Sequence, residues 1–116
     1  MDITTRRVGR TLIVALEGEL DLATAPAVKS TVDAALANDA RLRHLIWDLE
    51  KVGFIDSSGL GVILGRYKKI QARAGAVVAI RALDPVRRML VMAGMERIIQ
   101  FADSEEQALA EIGGRH

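Results

Sequence analysis

The chain has 116 residues, 50% of them apolar, which is enough for one domain with a hydrophobic core. Its 16 Lys and Arg side chains nearly balance 15 Asp and Glu side chains, so it lacks the basic excess that is typical of nucleic-acid-binding proteins. It has no cysteine and only two histidines, which excludes a disulfide framework and leaves almost nothing for a zinc enzyme or a Ser-His-Asp hydrolase.

Apolar runs bounded by turn residues alternate along the chain with segments of helical periodicity. Two strands are predicted within 3–17, joined by a turn at 8–10. Thr24 as N-cap and Pro26 in the first turn predict the first helix. The other predicted elements are a loop at 18–21, the end of the first helix near Asn38, a strand at 45–49, a loop at 51–57, a helix at 58–73, a strand at 77–80, a helix from Asp84 to Ala93, a strand at 98–101 and a helix from Ser104 to about Gly113.

This alternation predicts a single α/β domain over residues 1–116, with a central mixed sheet of about four to five strands packed with about four helices. Met89, Met92 and Met95 could offer an adaptable apolar surface, but we favour the explanation that they fill the core. The tail 113–116 is expected to fray. No segment approaches the roughly 20 apolar residues of a membrane span, and the N-terminus lacks the apolar core of a signal peptide. We therefore expect a cytoplasmic protein with no membrane partner.

Two of the four serines, Ser57 and Ser58, are adjacent at the predicted entrance to the second helix. One explanation is structural, because serine is a preferred N-cap whose hydroxyl satisfies a free backbone N–H group. The other is functional, because the positive end of a helix stabilises an added negative group. A phosphoserine, with a charge of about −1.5 to −2, would be tolerated there. The residues alone leave both explanations open.

The second helix contains two glycines, Gly61 and Gly65, each of which costs about 1 kcal/mol relative to alanine in a helix interior. Close packing on the sheet is one explanation. However, the glycines lie off the apolar stripe, which holds Leu60, Ile63, Leu64, Tyr67, Gln71 and Ala74. We therefore favour a shallow outer groove for a partner, with Val62 as its apolar centre. The residues assigned to this outer stripe are Ser58, Gly61, Val62, Gly65, Arg66 and Lys69.

The loop at 18–21 is expected to approach Asp56 and Ser57. If the strands before these two loops are parallel neighbours, both loops lie at the carboxyl edge of the sheet, where functional loops of α/β proteins gather. Asp21 could equally be a solvated carboxylate of that loop.

The segment from Asp56 to Ile70 closely resembles the signature of bacterial anti-sigma factor antagonists, small proteins of the STAS family, and most resembles their sporulation type. Gly18-Glu19-Leu20-Asp21 matches the first loop motif of that family. Later segments, at 85–90, 98–101 and 104–109, also resemble it, so the resemblance spans the chain. It implies a mixed sheet flanked by helices, and a regulatory protein rather than an enzyme.

In that family, the unphosphorylated antagonist binds an anti-sigma factor that is also a serine kinase, and so releases the sigma factor. The kinase uses ATP to phosphorylate the serine that follows the motif aspartate, which is Ser57 by position, and a serine phosphatase reverses the step. We also expect a monomer with no cofactor, and the composition and charge balance predict no metal site and no nucleic-acid partner. Together with the predicted groove, the resemblance implies partner contacts at Glu19, Asp21, Asp56, Ser58, Gly59, Gly61, Val62, Gly65, Arg66 and Lys69.

Two alternatives remain. One is a STAS module of a stress-response or stressosome branch, although the match over 65–69 favours the sporulation type. The other is a weak nucleotide-binding or small hydrolytic protein that uses the Ser57 loop. Gly59-Leu60-Gly61 is neither G-x-G-x-x-G nor a Walker motif, so the sequence offers no loop for tight phosphate binding.

Overall fold

The computed structural model describes residues 1–113, and within them the chain forms five strands, four α-helices and one short 3₁₀ helix. Of the tail predicted at 113–116, only Gly113 lies within the described residues. The elements in chain order are β1 (Asp2–Val8), β2 (Thr11–Leu20), α1 (Ala25–Asn38), β3 (His44–Ile55), α2 (Ser57–Ala72), β4 (Val77–Ile80), α3 (Asp84–Met92), the 3₁₀ helix (Met95–Arg97), β5 (Gln100–Ala102) and α4 (Glu105–Gly113).

The strands form one mixed sheet in the order β1-β2-β3-β4-β5. β1 is antiparallel to β2, and all the other neighbours are parallel, which confirms the predicted mixed α/β fold. β4 pairs with β3 only up to Asp48, whereas β2 stays paired with β3 up to Leu20 and Ile55. The carboxyl ends of β2 and β3 therefore project together beyond β4.

Apolar side chains are buried on both faces of the sheet. The larger cluster joins the sheet to α1, α2 and α3, with Trp47 of the central strand fully buried within it. The smaller cluster joins the opposite face to α4 through Ala108 and Ile112. α3 buries Val86 and Leu90, one helical turn apart.

The methionines follow the core prediction only in part. Met95 is buried, but Met89 and Met92 are exposed, so the prediction that all three fill the core is wrong for these two. Met89 and Met92 lie outside the face of α3 through which Val86 and Leu90 pack into the core.

Both strands next to the candidate site are longer than predicted. The segments predicted as loops at 18–21 and 51–57 mostly continue β2 and β3, and their pairing shifts register twice, between Ala15 and Glu17 and between Gly18 and Glu19. Such bulges interrupt the alternation that identifies a strand in a sequence. At the second shift, Gly18 has a φ of 129°, a conformation that side chains other than glycine rarely adopt.

Candidate functional site

Asp56 connects the start of α2 to the loop that follows β2. Its Oδ1 accepts a hydrogen bond from Gly59 N at 3.0 Å, and its Oδ2 accepts one from Leu22 N at 3.2 Å. Its own backbone N–H donates to Leu20 O at 3.2 Å. Asp56 is therefore the N-cap of α2, and the explanation in which a serine caps this helix is wrong.

Ser57 is the first residue of α2 and is exposed, whereas Ser58 is half-buried. Within residues 1–113, neither serine hydroxyl makes a hydrogen bond, so neither is needed to hold the backbone. The first N–H groups of a helix have no carbonyl partner within it, and the aligned peptide dipoles give this end a partial positive charge. The hydroxyl of Ser57 is thus accessible at a position that tolerates a negative group.

Asp21 organises the turn from β2 into α1. Its Oδ1 accepts hydrogen bonds from Ala23 N at 3.0 Å and Thr24 N at 3.1 Å, and its carbonyl accepts from Ala25 N at 2.8 Å. Thr24 occupies the predicted N-cap position, but its hydroxyl does not cap α1 and instead donates to Glu19 O at 2.7 Å. Asp21 is therefore more than a solvated loop carboxylate.

The predicted approach of the two loops is present in the structure. Glu19 lies beside Phe54 and Leu20 beside Ile55 in the parallel register of β2 and β3. The bond from Leu22 N to Asp56 closes the gap between the loop and α2. Glu19 and Asp21 are thus gathered with Asp56 and its two serines at one edge of the sheet.

Gly59 is buried against the ends of both strands rather than presented to a partner. A β carbon at this position would lie 2.5 Å from Leu20 O and 2.8 Å from Ile55 Cγ1. The prediction that Gly59 contacts a partner is therefore wrong, because the absence of a side chain lets α2 pack closely on β2 and β3.

The outer stripe of α2 also differs from the prediction. Val62 and Arg66 have exposed fractions of only 7% and 5%, so they cannot form the centre and the rim of an outer groove. The side of α2 that faces the core holds Gly59, Val62, Ile63, Arg66 and Ile70. At 100° per residue, the opposite side runs through Ser57, Gly61, Gly65 and Lys68.

Gly61 and Gly65 lie on this outer side, as predicted. A β carbon at either position would meet no heavy atom within 4 Å outside the helix's own nearby backbone. Packing against the sheet therefore does not explain these two glycines. They leave a smooth, accessible strip of backbone that begins at Ser57.

Arg66 is buried because it joins α2 to α1 through an ion pair. Its Nε lies 3.0 Å from Asp33 Oδ1, and Lys69 Nζ lies 3.8 Å from the same oxygen. The Asp33 side chain retains 26% exposure, and that of Lys69 retains 50%. Because Arg66 is charged, the sequence predicted an exposed position on α2. Its carboxylate partner, Asp33, lies on the neighbouring helix α1.

Replacing Arg66 by methionine is expected to lower the free energy of unfolding by about 1–3 kcal/mol, measured by urea denaturation. The change leaves Asp33 without its buried partner, and the cost stays below that of a fully buried pair because Asp33 is partly solvated. Lys69→Met is the control, with an expected change below about 0.5 kcal/mol for an exposed ion pair. Equal losses in the two variants would contradict the assignment of Arg66 as the buried partner.

Two exposed apolar residues at this edge were not predicted from the sequence to be functional. Leu22 has 75% of its surface exposed and Phe54 has 48%. Leu22 lies outside any periodic apolar pattern, and Phe54 lies in the segment 51–57, which the sequence predicts as a loop. Only their unusual place, beside Asp56 and its serines, could have distinguished them.

None of the helices in residues 1–113 is long and apolar enough to cross a lipid bilayer. In the same range, no group of three or more His, Asp or Glu side chains is placed to hold a metal ion.

A family model described as "STAS domain" matches residues 2–108 of the chain. The chain belongs to the STAS domain family. It is 42% identical over 101 residues to an anti-sigma F factor antagonist of Paenibacillus polymyxa, covering 87% of this chain and 86% of the relative. It is 31% identical over 88 residues to an anti-sigma-B factor antagonist of Listeria monocytogenes, covering 76% and 75%. The resemblance to STAS anti-sigma factor antagonists is thus confirmed.

Two solved structures of an anti-sigma factor antagonist share the fold over nearly the whole chain. The anti-sigma factor antagonist SpoIIAA in its unphosphorylated form superposes with a TM-score of 0.77 at 26% identity, covering 97% of this chain and 99% of SpoIIAA. The phosphorylated form of SpoIIAA from Bacillus gives a TM-score of 0.75 at 27% identity, covering 96% and 99%.

Proposed function

We propose that this STAS protein is an anti-sigma factor antagonist that binds an anti-sigma factor kinase while Ser57 is unmodified and releases it when Ser57 is phosphorylated. The observation that carries the proposal is the exposed, unbonded hydroxyl of Ser57 on the first residue of α2. The names of the relatives and the two phosphorylation states of SpoIIAA support it. In its unmodified form, the protein would displace a sigma factor from the kinase and so permit transcription.

The position of Ser57 explains how a phosphate could act as a switch without unfolding the protein. The positive end of α2 would accept the anion, and the cap supplied by Asp56 does not depend on the serine hydroxyl. In a contact from which water is excluded, the same phosphate would add bulk and nearly two negative charges beside Asp56. A loss of about 1.4 kcal/mol of binding free energy already weakens affinity tenfold.

The chemistry of phosphoryl transfer would belong to the partner. The chain would therefore be a regulator rather than an enzyme, with ATP and the catalytic base supplied by the kinase and the phosphate removed by a serine phosphatase. These partners imply a cytoplasmic location. The docking surface would combine the edge around Ser57 with the outer side of α2, at Glu19, Asp21, Asp56, Ser58, Gly61, Gly65 and Lys69.

The sporulation branch is favoured over the stress-response branch. Identity to two anti-sigma F factor antagonists is 42% over 101 residues and 30% over 114 residues, against 31% over 88 residues for an anti-sigma-B factor antagonist. Direct nucleotide binding is the weaker candidate, because the helix entrance Asp56-Ser57-Ser58-Gly59 is not a phosphate-cradling loop of the P-loop or dinucleotide type.

Ser57→Ala is expected to abolish phosphate incorporation by a purified anti-sigma F factor kinase and ATP, measured by mass spectrometry. Ser58→Ala is the matched control and should be phosphorylated like the unmodified protein, because Ser58 is half-buried. Both variants should keep the melting temperature, since Asp56 rather than either serine caps α2. Continued stoichiometric labelling of Ser57→Ala would contradict the assignment of Ser57 as the phosphorylated residue.

A further inference from the structure

Five arginines gather at the amino edge of the sheet, which is formed by the amino ends of β2, β3 and β4 and lies opposite the edge that bears Ser57. β1 is antiparallel to β2, so the last residues of β1 lie at the amino edge too. There, Arg10 O accepts hydrogen bonds from Arg43 N at 2.8 Å and from His44 N at 3.1 Å. The arginines of this amino-edge patch are Arg7, Arg10, Arg41, Arg43 and Arg73.

Two of these arginines also have a structural role. Arg73 donates hydrogen bonds to Leu36 O and Leu42 O, both at 2.7 Å, and Arg43 donates one to Ala74 O at 3.0 Å. Leu36 and Ala74 lie at the ends of α1 and α2, where the negative end of the helix dipole favours cations. A carbonyl group carries no full charge, so these bonds leave the positive charge of both side chains without a counterion.

A single carboxylate, that of Asp39, pairs with the patch within residues 1–113. It accepts hydrogen bonds from both arms of Arg41, from Nε at 2.9 Å and Nη2 at 3.1 Å, and Arg7 Nε lies 3.5 Å away. The hydrogen bonds from Arg41 hold the pKa of Asp39 below its usual value, so the carboxylate stays ionised. Arg10 is exposed, and in the same range its side chain has neither a hydrogen bond nor an ion pair. Five positive charges therefore face one negative charge.

The positive excess is confined to the amino edge. The whole chain has 16 Lys and Arg side chains against 15 Asp and Glu. Without the five arginines and Asp39, 11 basic and 14 acidic side chains remain, so the rest of the chain is negative on balance. A nucleic-acid duplex or a membrane surface would extend beyond the patch and meet this negative remainder. A short acidic segment can be covered by the patch alone.

We infer that the amino-edge patch is a second docking surface, which binds an acidic segment of a partner protein. Arginine forks bind carboxylates through two parallel hydrogen bonds, as Arg41 already does with Asp39. Arg73 follows the end of α2, whose 16 residues span about 24 Å at 1.5 Å of rise per residue. A partner bound here leaves the edge that bears Ser57 free, and the inference does not depend on the proposed function.

Fluorescence anisotropy of a labelled decaglutamate peptide tests the inference at low ionic strength, where charge contacts are least screened. The unmodified protein should bind the peptide, and the double variant Arg10→Gln/Arg41→Gln should bind it at least fivefold more weakly. Both side chains are exposed and neither caps a helix, so the melting temperature should stay the same.

Lys29→Gln/Lys51→Gln is the matched control. It removes the same charge from two exposed side chains that lie towards the other edge, in the second turn of α1 and in the part of β3 beyond the end of β4. This variant should bind decaglutamate within twofold of the unmodified protein.

Three results would overturn the inference. The first is that the unmodified protein does not bind decaglutamate. The second is an equal loss in the two double variants, because binding would then follow overall charge rather than the amino-edge patch. The third is tighter binding of a double-stranded oligonucleotide of equal charge, or of phosphatidylserine vesicles, with the same loss in Arg10→Gln/Arg41→Gln. The patch would then serve nucleic acid or a membrane instead of an acidic peptide.

Discussion

Gly59→Ala is expected to lower the free energy of unfolding by about 1–3 kcal/mol, the usual cost of adding a carbon to a filled site. The new β carbon would lie 2.5 Å from Leu20 O and 2.8 Å from Ile55 Cγ1 and Leu20 Cγ. The nearest of these is a backbone oxygen in a paired strand, so it cannot turn aside as the end of a flexible side chain can. Urea denaturation followed by circular dichroism measures the change.

Gly61→Ala, two residues further along the same helix, is the matched control. Its β carbon meets open space, so the variant should gain up to about 1 kcal/mol from improved helix propensity. The two substitutions are chemically identical, and their opposite signs would isolate the contact of Gly59 with the strands. Destabilisation of similar size in both variants would show that helix propensity, and not this contact, determines the response.

The close approach at Gly59 also affects the candidate site. It brings the start of α2 onto the end of β2, where Asp56 N donates to Leu20 O and Asp56 Oδ2 accepts from Leu22 N. A helix displaced by an added methyl group would loosen both bonds. The loop that bears Leu22 and the helix that bears Ser57 therefore depend on one packing contact.

The element order could be predicted from the sequence because most local signals agree with the fold. Pro26 and Pro85 lie in first helical turns, and Ser104 accepts a hydrogen bond from Gln107 N at the predicted start of α4. The ends of β2 and β3 could not be predicted, because two bulges shift the register between these strands. A strand without clean alternation looks like a loop in a sequence.

The approach of the loop after β2 to Asp56 followed from a general rule about neighbouring parallel strands, and the structure has it in the bond from Leu22 N to Asp56 Oδ2. The burial of Arg66 did not follow, because it depends on Asp33 of another helix. The exposure of Leu22 and Phe54 could not be predicted either, because an apolar side chain is exposed only where no other element covers it. Contacts between distant parts of the chain decided each of these outcomes.

Gly61→Leu is expected to separate stability from binding. The side chain would project into open space on the outer side of α2, so the melting temperature should stay the same or rise. If the anti-sigma factor lies along the glycine strip that begins at Ser57, the bulky side chain would overlap with it. Binding of the unphosphorylated variant in calorimetry should then weaken at least tenfold, or about 1.4 kcal/mol.

Ala72→Leu provides the control for this last experiment. Ala72 is exposed on the same side of α2 but lies at its end, about 20 Å from Ser57 at 1.5 Å of rise per residue. It should bind the anti-sigma factor like the unmodified protein. Unchanged affinity of Gly61→Leu would instead confine the contact to the other side of Ser57. The glycine strip would then have no part in docking, and the surface from Glu19, at the end of β2, to Thr24 would carry it.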